Sequence, residues 1–444
     1  MSNAASLYFA NQIFSPNVMK GIYDVIEPEY PDKMRLQENF FPREDYSSDE
    51  MIAYFNHNFH GMTPPTSLGA DPMQVGIPGG FYRGYEFGYW GEFSRFENKD
   101  LLQVKNPTQP YKADGVTPNL WGDLMMAQAM NHQKHRFQTF MEAFCGSLLT
   151  TGNFHIFGDG IDHYYPGPSS TDYILDAHYR LDCTSAGTVS KGGWTTGGTW
   201  ATAATALPVH DLNQMLLYMS QSLGLQVTEI WMSRQAAQYL IDADATAAWI
   251  EQVPDLSRAM LTVESGLTAL NKVVGSNISF NIEDRTYPER MLITGSTVAS
   301  SSTTCTIDND APFRGAASAK VMFHKAHGDI AGKERLVDVT IASNTLTFSA
   351  SDLDISMERG DFVIYNKRFV DPKYIIFKTT RSDRMRFGSV PCSPESTREP
   401  APGVHTYSQL FEVKPNWWIV GGTYFRGGPV IFGSGGWATL KVYS

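Results

Sequence analysis

The stretch 123-DLMMAQAMNHQKHRFQTFMEAFCGSLLTTGNF-154 decides the fold of this sequence. It lies in a run, residues 119–149, that contains no proline and has glycines only near its ends. At 100° per residue, seven apolar side chains fall on one side of a helix, with Gln133 as the one polar interruption. These seven are Met126, Met130, Phe137, Phe140, Met141, Phe144 and Leu148. Asp123 suits the start of such a helix and Gly152 its C-terminal cap, so the pattern predicts one amphipathic helix of about 30 residues.

The same stretch raises the question of a metal site, because His132 and His135 stand three residues apart. That spacing can place two imidazoles on one side of a helix. Both histidines lie away from the apolar stripe, and no carboxylate is nearby on their side. We therefore interpret them as part of a structural helix face. Two further groupings contain residue types that bind metals. They are His155, Asp159, Asp162 and His163, and then His324, His327 and Asp329. Each would need further ligands from elsewhere in the chain, and a turn or a solvent-exposed face explains each equally well.

Bulk composition indicates a globular protein that does not bind nucleic acid tightly. The 444 residues are 42% hydrophobic and 18% charged, with a net charge of -11. The four cysteines, Cys145, Cys183, Cys305 and Cys392, are far apart, which suits a reducing compartment. Residues 1–18 have no basic signal-peptide region, and no apolar run reaches the roughly 20 residues of a membrane span. Phosphate-binding glycine loops and the common hydrolase motifs are missing from the sequence. We expect no catalytic residue, no cofactor and no metal.

Before the long helix, two regions differ in composition. Residues 1–64 are predicted to form an N-terminal arm with one or two short elements. Residues 65–118 are predicted to form an extended loop with a β-hairpin, because 74-QVGIPGGFYRGYEFGYWGEFSRF-96 alternates aromatic residues with small or charged ones. The hairpin either covers the protein's own core or packs on another subunit. Its candidate intersubunit contacts are Phe81, Tyr82, Tyr85, Phe87, Tyr89, Trp90, Phe93 and Phe96.

After the long helix, the pattern changes several times. Residues 119–207 combine the helix with short strands and long loops, and residues 208–287 form a unit that mixes helices and strands. Residues 288–368 are β-branched with turns every 8–12 residues, which predicts a small inserted all-β domain. The mixed pattern resumes over residues 369–395, and residues 396–444 read as a run of strands. The fold class is therefore α+β.

Four stretches resemble the major capsid proteins of tailed bacteriophages, of the lambda coat-protein type with the Hong Kong 97-like capsid fold. They are 6-SLYFANQIFSPNV-18, the long helix with its Leu-Thr-Thr-Gly exit, 173-YILDAHYRLD-182 with 197-GGTWATAATALPVHDLNQML-216, and 225-LQVTEIWMSRQAAQYL-240. The resemblance implies an N-arm, an extended hairpin loop, a spine helix in a peripheral domain (119–207) and an axial domain in two parts (208–287 and 369–395). The C-terminal strands (396–444) join the peripheral and axial domains.

That resemblance also implies a function. The protein would be a structural protein that assembles with itself, as hexamers and pentamers, into an icosahedral shell around double-stranded DNA. Separate scaffolding and portal proteins, and decoration proteins, are expected partners, and the virion is the expected location after assembly in the host bacterial cytoplasm. No long N-terminal scaffolding segment is expected, since the resemblance begins within the first ten residues. The alternative is a metal-dependent hydrolase or carbohydrate-active protein with the β insertion as a binding module.

Overall fold

The computed structural model describes residues 34–47, 50–56, 80–97, 121–158, 161–165, 180–185, 187, 193–250, 263–274, 278–295, 302–308, 310, 313, 317–326, 332–349, 352–353, 355–382, 385–392, 402–413, 416–431 and 435–443. The α-helices in this part of the chain are α1 (Arg35–Phe40), α2 (Trp121–Thr151), α3 (Pro208–Leu217), α4 (Arg234–Asp242), α5 (Asp244–Ile250) and α6 (Val263–Val274), and a π-helical segment, Tyr218–Ser222, follows α3.

The strands alternate with these helices without a regular βαβ order, and the predicted α+β class is confirmed. They are β1 (Arg43–Asp45), β2 (Glu50–Asn56), β3 (Gly80–Glu86), β4 (Tyr89–Glu97), β5 (Phe154–Gly158), β6 (Ile161–Tyr165), β7 (Arg180–Asp182), β8 (Val227–Met232), β9 (Ser279–Ile282), β10 (Thr286–Leu292), β11 (Thr304–Thr306), β12 (Ser318–His324), β13 (Glu334–Ala342), β14 (Thr345–Thr347), β15 (Phe362–Arg368), β16 (Tyr374–Thr379), β17 (Met385–Ser389), β18 (His405–Val413), β19 (Asn416–Ile431) and β20 (Trp437–Lys441).

Helix α2 is the predicted long helix, with 31 residues. It ends as predicted, because Gly152 adopts φ +77° and its N–H donates to the Leu148 carbonyl at 3.1 Å. A positive φ at this position is the usual glycine cap. The predicted apolar stripe is confirmed as the buried side of the helix: five of its residues are core, and Phe137 and Phe140 pack against that core.

A first sheet lies against α2 and joins strands from early and late in the chain. Its strand order is β1-β17-β19-β18, and β4 also pairs with β19. Because β18 and β4 both pair with residues 418–424 of β19, they lie on opposite edges of it. Side chains of α1, α2 and this sheet share one core, which includes Leu36, Phe40, Phe144, Leu148, Phe387 and Phe425.

A second sheet has the strand order β7-β20-β16-β8-β9. Helices α3, α4 and α6 pack around it through a core that includes Leu212, Leu240, Leu270, Ile375 and Phe377. Ser233 caps α4, since its hydroxyl accepts a hydrogen bond from the Ala236 N–H at 3.0 Å. Strand β20, from the C-terminal run, completes this sheet between β7 and β16.

A third sheet has the order β10-β15-β12-β13-β14-β11 and a core of its own. Strands β10 and β15 pair antiparallel from Thr286↔Arg368 to Leu292↔Phe362, so the chain enters and leaves this sheet side by side. The sheet therefore spans the segment for which an inserted domain, residues 288–368, is predicted. The predicted domain boundaries along the chain remain predictions.

The aromatic segment differs from its prediction in how it pairs. The sequence 82-YRGYEFGYW-90 is divided at Phe87 and Gly88: β3 pairs with β2, and β4 pairs with β19. The physical reason is the burial of Phe87, which stacks on Tyr46 at 6.1 Å and anchors the chain in the first core. An alternating aromatic pattern fixes the two faces of a strand but not its partner. The remainder of the predicted extended loop after β4, residues 98–118, lies outside the described residues.

Candidate functional site

Strand β4 has two faces with different environments, and it carries five of the eight aromatic residues predicted to lie at an interface, if Phe87 just before it is included. Its inner side packs on α2. The Trp90 ring lies 4.5 Å from the Phe140 ring, and its Nε1–H donates to the Gly427 carbonyl at 2.9 Å. Farther along, Ser94 Oγ accepts a hydrogen bond from the Gln133 side chain at 3.0 Å. The polar interruption in the apolar stripe therefore connects the helix to the sheet.

The outer side of β4 is exposed in the isolated chain. Tyr89 has 60% of its surface exposed and Phe93 has 66%. Next to them the Arg95 guanidinium lies 4.5 Å from the Trp418 ring on the paired strand. Tyr89 also lies 5.5 Å from the Tyr424 ring. Large exposed aromatics on one side of a strand are typical of contact surfaces, because removing their apolar surface from water lowers the free energy.

The eight predicted contacts thus divide into three groups. Phe87 and Phe96 are buried, and Trp90 packs against the chain's own core, so these three serve the fold of the subunit. Tyr89 and Phe93 keep the exposure that an intersubunit contact needs. The remaining three, Phe81, Tyr82 and Tyr85, lie on β3, and their side chains are outside the described part of the structure. We name Tyr89, Phe93 and their exposed neighbour Arg95 the β4 outer face.

A buried ionic joint connects three parts of the fold at Glu142. Its side chain is fully buried on α2, and its carboxylate accepts hydrogen bonds from the Leu36 N–H at 2.6 Å and the Gln37 N–H at 3.1 Å. It also pairs with Arg285, which in turn binds Glu283 at 2.7 Å. The joint therefore ties α1 to the long helix and to the connection between the second and third sheets.

Electrostatics at this joint are set by burial. Desolvation raises the pKa of Glu142 to about 7, although the backbone N–H groups and Arg285 oppose the shift. Burial works to lower the pKa of Arg285, but hydrogen bonds and charge from Glu283 and Glu142 outweigh it and raise that pKa. Sequence reasoning missed this group. The one signal for it is a glutamate placed among apolar residues in 140-FMEAFC-145, where a charged side chain is buried only with partners.

A second buried carboxylate, Asp211, binds two indoles. Its Oδ1 accepts from Trp194 Nε1 at 3.3 Å and its Oδ2 from Trp200 Nε1 at 3.0 Å. The two tryptophans lie in the loop before α3, and Asp211 lies in the first turn of that helix. Burial raises the pKa of Asp211. This group fixes a long loop on the second core and has no exposed reactive atom.

The three predicted His/Asp groupings differ in how far the structure describes them. His132 is exposed and His135 half-exposed on α2, away from the core. His155, Asp162 and His163 lie on the β5–β6 pair, but their side chains and Asp159 are outside the described residues. His324 binds Glu334 at 2.9 Å, and His327 and Asp329 are not described. Within the described residues, no three His, Cys, Asp or Glu side chains come together to hold a metal.

The four cysteines are buried and unpaired with one another. None of the helices that the structure describes is both long and apolar enough to cross a membrane.

No family model matches the sequence, and no curated protein matches it. Among solved structures, the chain is similar to a protein assigned as a prophage capsid protein in E. coli CFT073, with 14% identity, a TM-score of 0.44 and coverage of 96% of this chain and 98% of that chain. It is also similar to the capsid of Myoviridae phage XM1, with 8% identity, a TM-score of 0.39 and coverage of 94% and 95%. It is similar as well to the capsid of an empty GTA particle, with 9% identity, a TM-score of 0.37 and coverage of 94% of this chain and 93% of that chain.

Proposed function

We propose that this protein is a major capsid protein, a structural protein that assembles with itself into the icosahedral shell of a tailed bacteriophage. The main support is the two-sided strand β4, whose inner face is used by the subunit's own core while its outer face presents Tyr89 and Phe93 to solvent. Proteins that function as monomers rarely expose two neighbouring aromatic side chains on one strand.

The order of elements supports the same proposal. An extended pair of strands, β2 and β3, precedes a 31-residue helix, and a sheet that joins early and late strands packs on that helix. A separate axial sheet and an inserted sheet follow. This is the order that the sequence resemblance implies for an extended loop, spine helix, peripheral domain, axial domain and insertion.

Charge supports a role as a container for DNA. The net charge is -11, so the chain as a whole repels the phosphate backbone. A shell can enclose double-stranded DNA without binding it tightly. Hexamers and pentamers of this chain, separate scaffolding and portal proteins, and decoration proteins complete the proposal, with assembly in the bacterial cytoplasm and the virion as the final location.

The test compares the two faces of β4. Tyr89→Ser with Phe93→Ser removes the exposed aromatics, and we expect the subunit to unfold within a few degrees of the unchanged protein while the yield of rings and shells falls at least about tenfold. The matched control is Phe96→Ala on the buried face, which should lower the unfolding temperature instead. Thermal unfolding, sedimentation velocity and negative-stain images of the concentrated protein measure both effects.

Two results would contradict the proposal. Unchanged protein that forms neither rings nor shells at high concentration, with its purified scaffolding partner or without it, is not a shell subunit. If the double variant assembles as well as the unchanged protein, the β4 outer face is not an intersubunit contact. Stoichiometric metal and hydrolytic activity in the same preparation would favour the alternative enzyme.

A further inference from the structure

The third sheet has one covered side and one open side. Met291, Val363, Phe323 and Val337 point into its core, and each is at most 2% exposed. Their neighbours along the strands point the other way. On that side Leu292 is 43% exposed and Leu336 is 58% exposed.

Strand register joins these exposed leucines into one apolar band. Leu292 pairs with Phe362 on the next strand, and Leu336 pairs with Met322, which pairs with Ile364. Phe362, Met322 and Ile364 are all partly exposed. Single exposed leucines are ordinary, but a continuous apolar band across β10, β15, β12 and β13 indicates a contact surface. We name this set of five residues the insertion face.

Charges are ordered across the insertion face. The Arg290 guanidinium lies 3.6 Å from the Phe362 ring, and the Phe362 ring stacks on His324 at 4.4 Å. His324 Nδ1 lies 2.9 Å from Glu334 Oε1. The β10 edge of the face is therefore cationic at Arg290. At the β13 edge the Glu334 side chain is 47% exposed and supplies a negative charge, while Asp338 is paired with Lys320 at 3.6 Å.

We propose that the insertion face binds the same face of a second copy of this chain across a two-fold axis that runs parallel to the strands. Such an axis places β10 of one copy opposite β13 of the other, so Arg290 of each copy lies close to Glu334 of the other. The apolar bands meet in the middle, and the charges form the rim, as in other isologous interfaces. The pairing deepens the proposed function and rests on it, since it would join subunits of neighbouring rings.

The arrangement explains why the charges lie at opposite edges. Within one copy Arg290 and Glu334 are separated by two intervening strands, which is roughly 14 Å at about 4.8 Å per strand spacing. They gain little from each other at that distance in water. Across the proposed axis they become neighbours, and each pair occurs twice.

Charge exchange tests this pairing in the full-length protein. Arg290→Glu and, separately, Leu336→Glu should each weaken self-association by at least about tenfold in Kd, measured by sedimentation velocity over a concentration series. Arg290→Glu combined with Glu334→Arg should restore most of the association. The matched control is Lys333→Glu, which changes the charge by the same amount at an exposed residue just before β13 and outside the insertion face. Thermal unfolding should stay unchanged in all four proteins.

The outcomes separate this inference from the proposed function. If rings form but do not join into shells in the two weakened variants, the pairing is supported. Shells that form normally in both variants overturn the pairing and leave the proposed function intact. Association that the combined variant does not recover also overturns it. Unchanged protein that stays monomeric overturns both, and two-fold dimers without rings support the pairing alone.

Discussion

At the scale of single residues, Glu142 holds the α1 end of the described chain in place. A carboxylate with no exposed surface has lost its water, and only the two backbone N–H groups and Arg285 replace it. The surrounding charged groups are Arg285 and Glu283 from the β9–β10 connection and Arg35 from α1, whose guanidinium lies 3.9 Å from Glu283. Cys145, one turn along α2, is also buried and neutral, because burial raises the pKa of its thiol.

This joint predicts a pH dependence of stability. The pKa of Glu142 is raised from 4.5 to about 7 on folding, so the folded chain binds this proton more tightly than the unfolded chain does. The contribution is therefore fully present below about pH 4.5 and is lost as the pH rises through about 7. Compared with Glu142→Gln, the free energy of unfolding of the unchanged protein should fall by on the order of 3 kcal/mol over that window.

Urea unfolding of both proteins at several pH values measures the difference. The glutamine side chain carries no charge at any pH and has the same shape, so all other titrating groups cancel between the two curves. If the stability curves of the two proteins run parallel between about pH 4.5 and about pH 7.5, Glu142 has the same pKa in the folded protein as in water.

Gly146 explains how α2 approaches the connection after the third sheet so closely. A Cβ atom at this position would lie 2.1 Å from the Phe369 carbonyl oxygen and 2.8 Å from its carbon. We predict that Gly146→Ala destabilises the protein by about 2–3 kcal/mol, although alanine favours a helix by about 1 kcal/mol. Gly295→Ala is the control, since its Cβ meets nothing closer than 3.5 Å. Equal unfolding midpoints for the two variants would contradict this.

At the scale of elements, the loop that carries Trp194 and Trp200 is held to α3 by one carboxylate. We predict that Asp211→Ala destabilises the protein by about 2–4 kcal/mol, because two buried indole N–H groups lose their acceptor. Asp211→Asn keeps one oxygen acceptor and should cost less than half of that. Thermal unfolding with tryptophan fluorescence reports on both the stability and the loop. Equal losses in the two variants would show that the acceptor is not what matters.

Local patterns were sufficient to predict the long helix and the strand-rich insertion. The 3.6-residue period predicts α2 with its buried side, and the β-branched runs within residues 288–368 predict strands such as β12, β13 and β15. These features depend on neighbours along the chain. Pairing depends on residues far apart in sequence, so the partner of β4 on β19, more than 300 residues away, could not be read from the aromatic pattern.

The candidate surface was predicted in part for the same reason. Sequence marks the aromatic strand, but only the sheet decides which side of it faces α2. Trp90 and Phe96 therefore lie inside, and Tyr89 and Phe93 lie outside. The buried joint at Glu142 escapes prediction because its partners, Leu36 and Arg285, are separated from it by more than 100 residues each.

At the scale of the whole molecule, a buried charged group of the third sheet finds its partners inside the insertion. Lys325 is buried, and its Nζ donates to the Ser356 carbonyl at 2.9 Å and to Glu358 at 3.1 Å. Asp361, fully buried, accepts hydrogen bonds from the Ala326 N–H at 2.8 Å and the Glu358 N–H at 2.7 Å. A buried ion pair that found its partners elsewhere in the chain would tie the insertion to the rest. Here the side-chain hydrogen bonds of Lys325 and Asp361 described above all join residues between β12 and β15.

We therefore predict that residues 288–368 form an independent folding unit. Tyr287 and Phe369, whose rings lie 4.8 Å apart, both belong to the first core and stay in place when the segment between them is replaced by a short Gly/Ser bridge. The remaining chain should lose no more than about 2 kcal/mol, since a short bridge between adjacent positions adds little closure entropy. Circular dichroism of the bridged chain and of the separate segment should each show one cooperative thermal transition. If the bridged chain does not fold, or if the segment melts without a transition, the first core and the third sheet depend on each other.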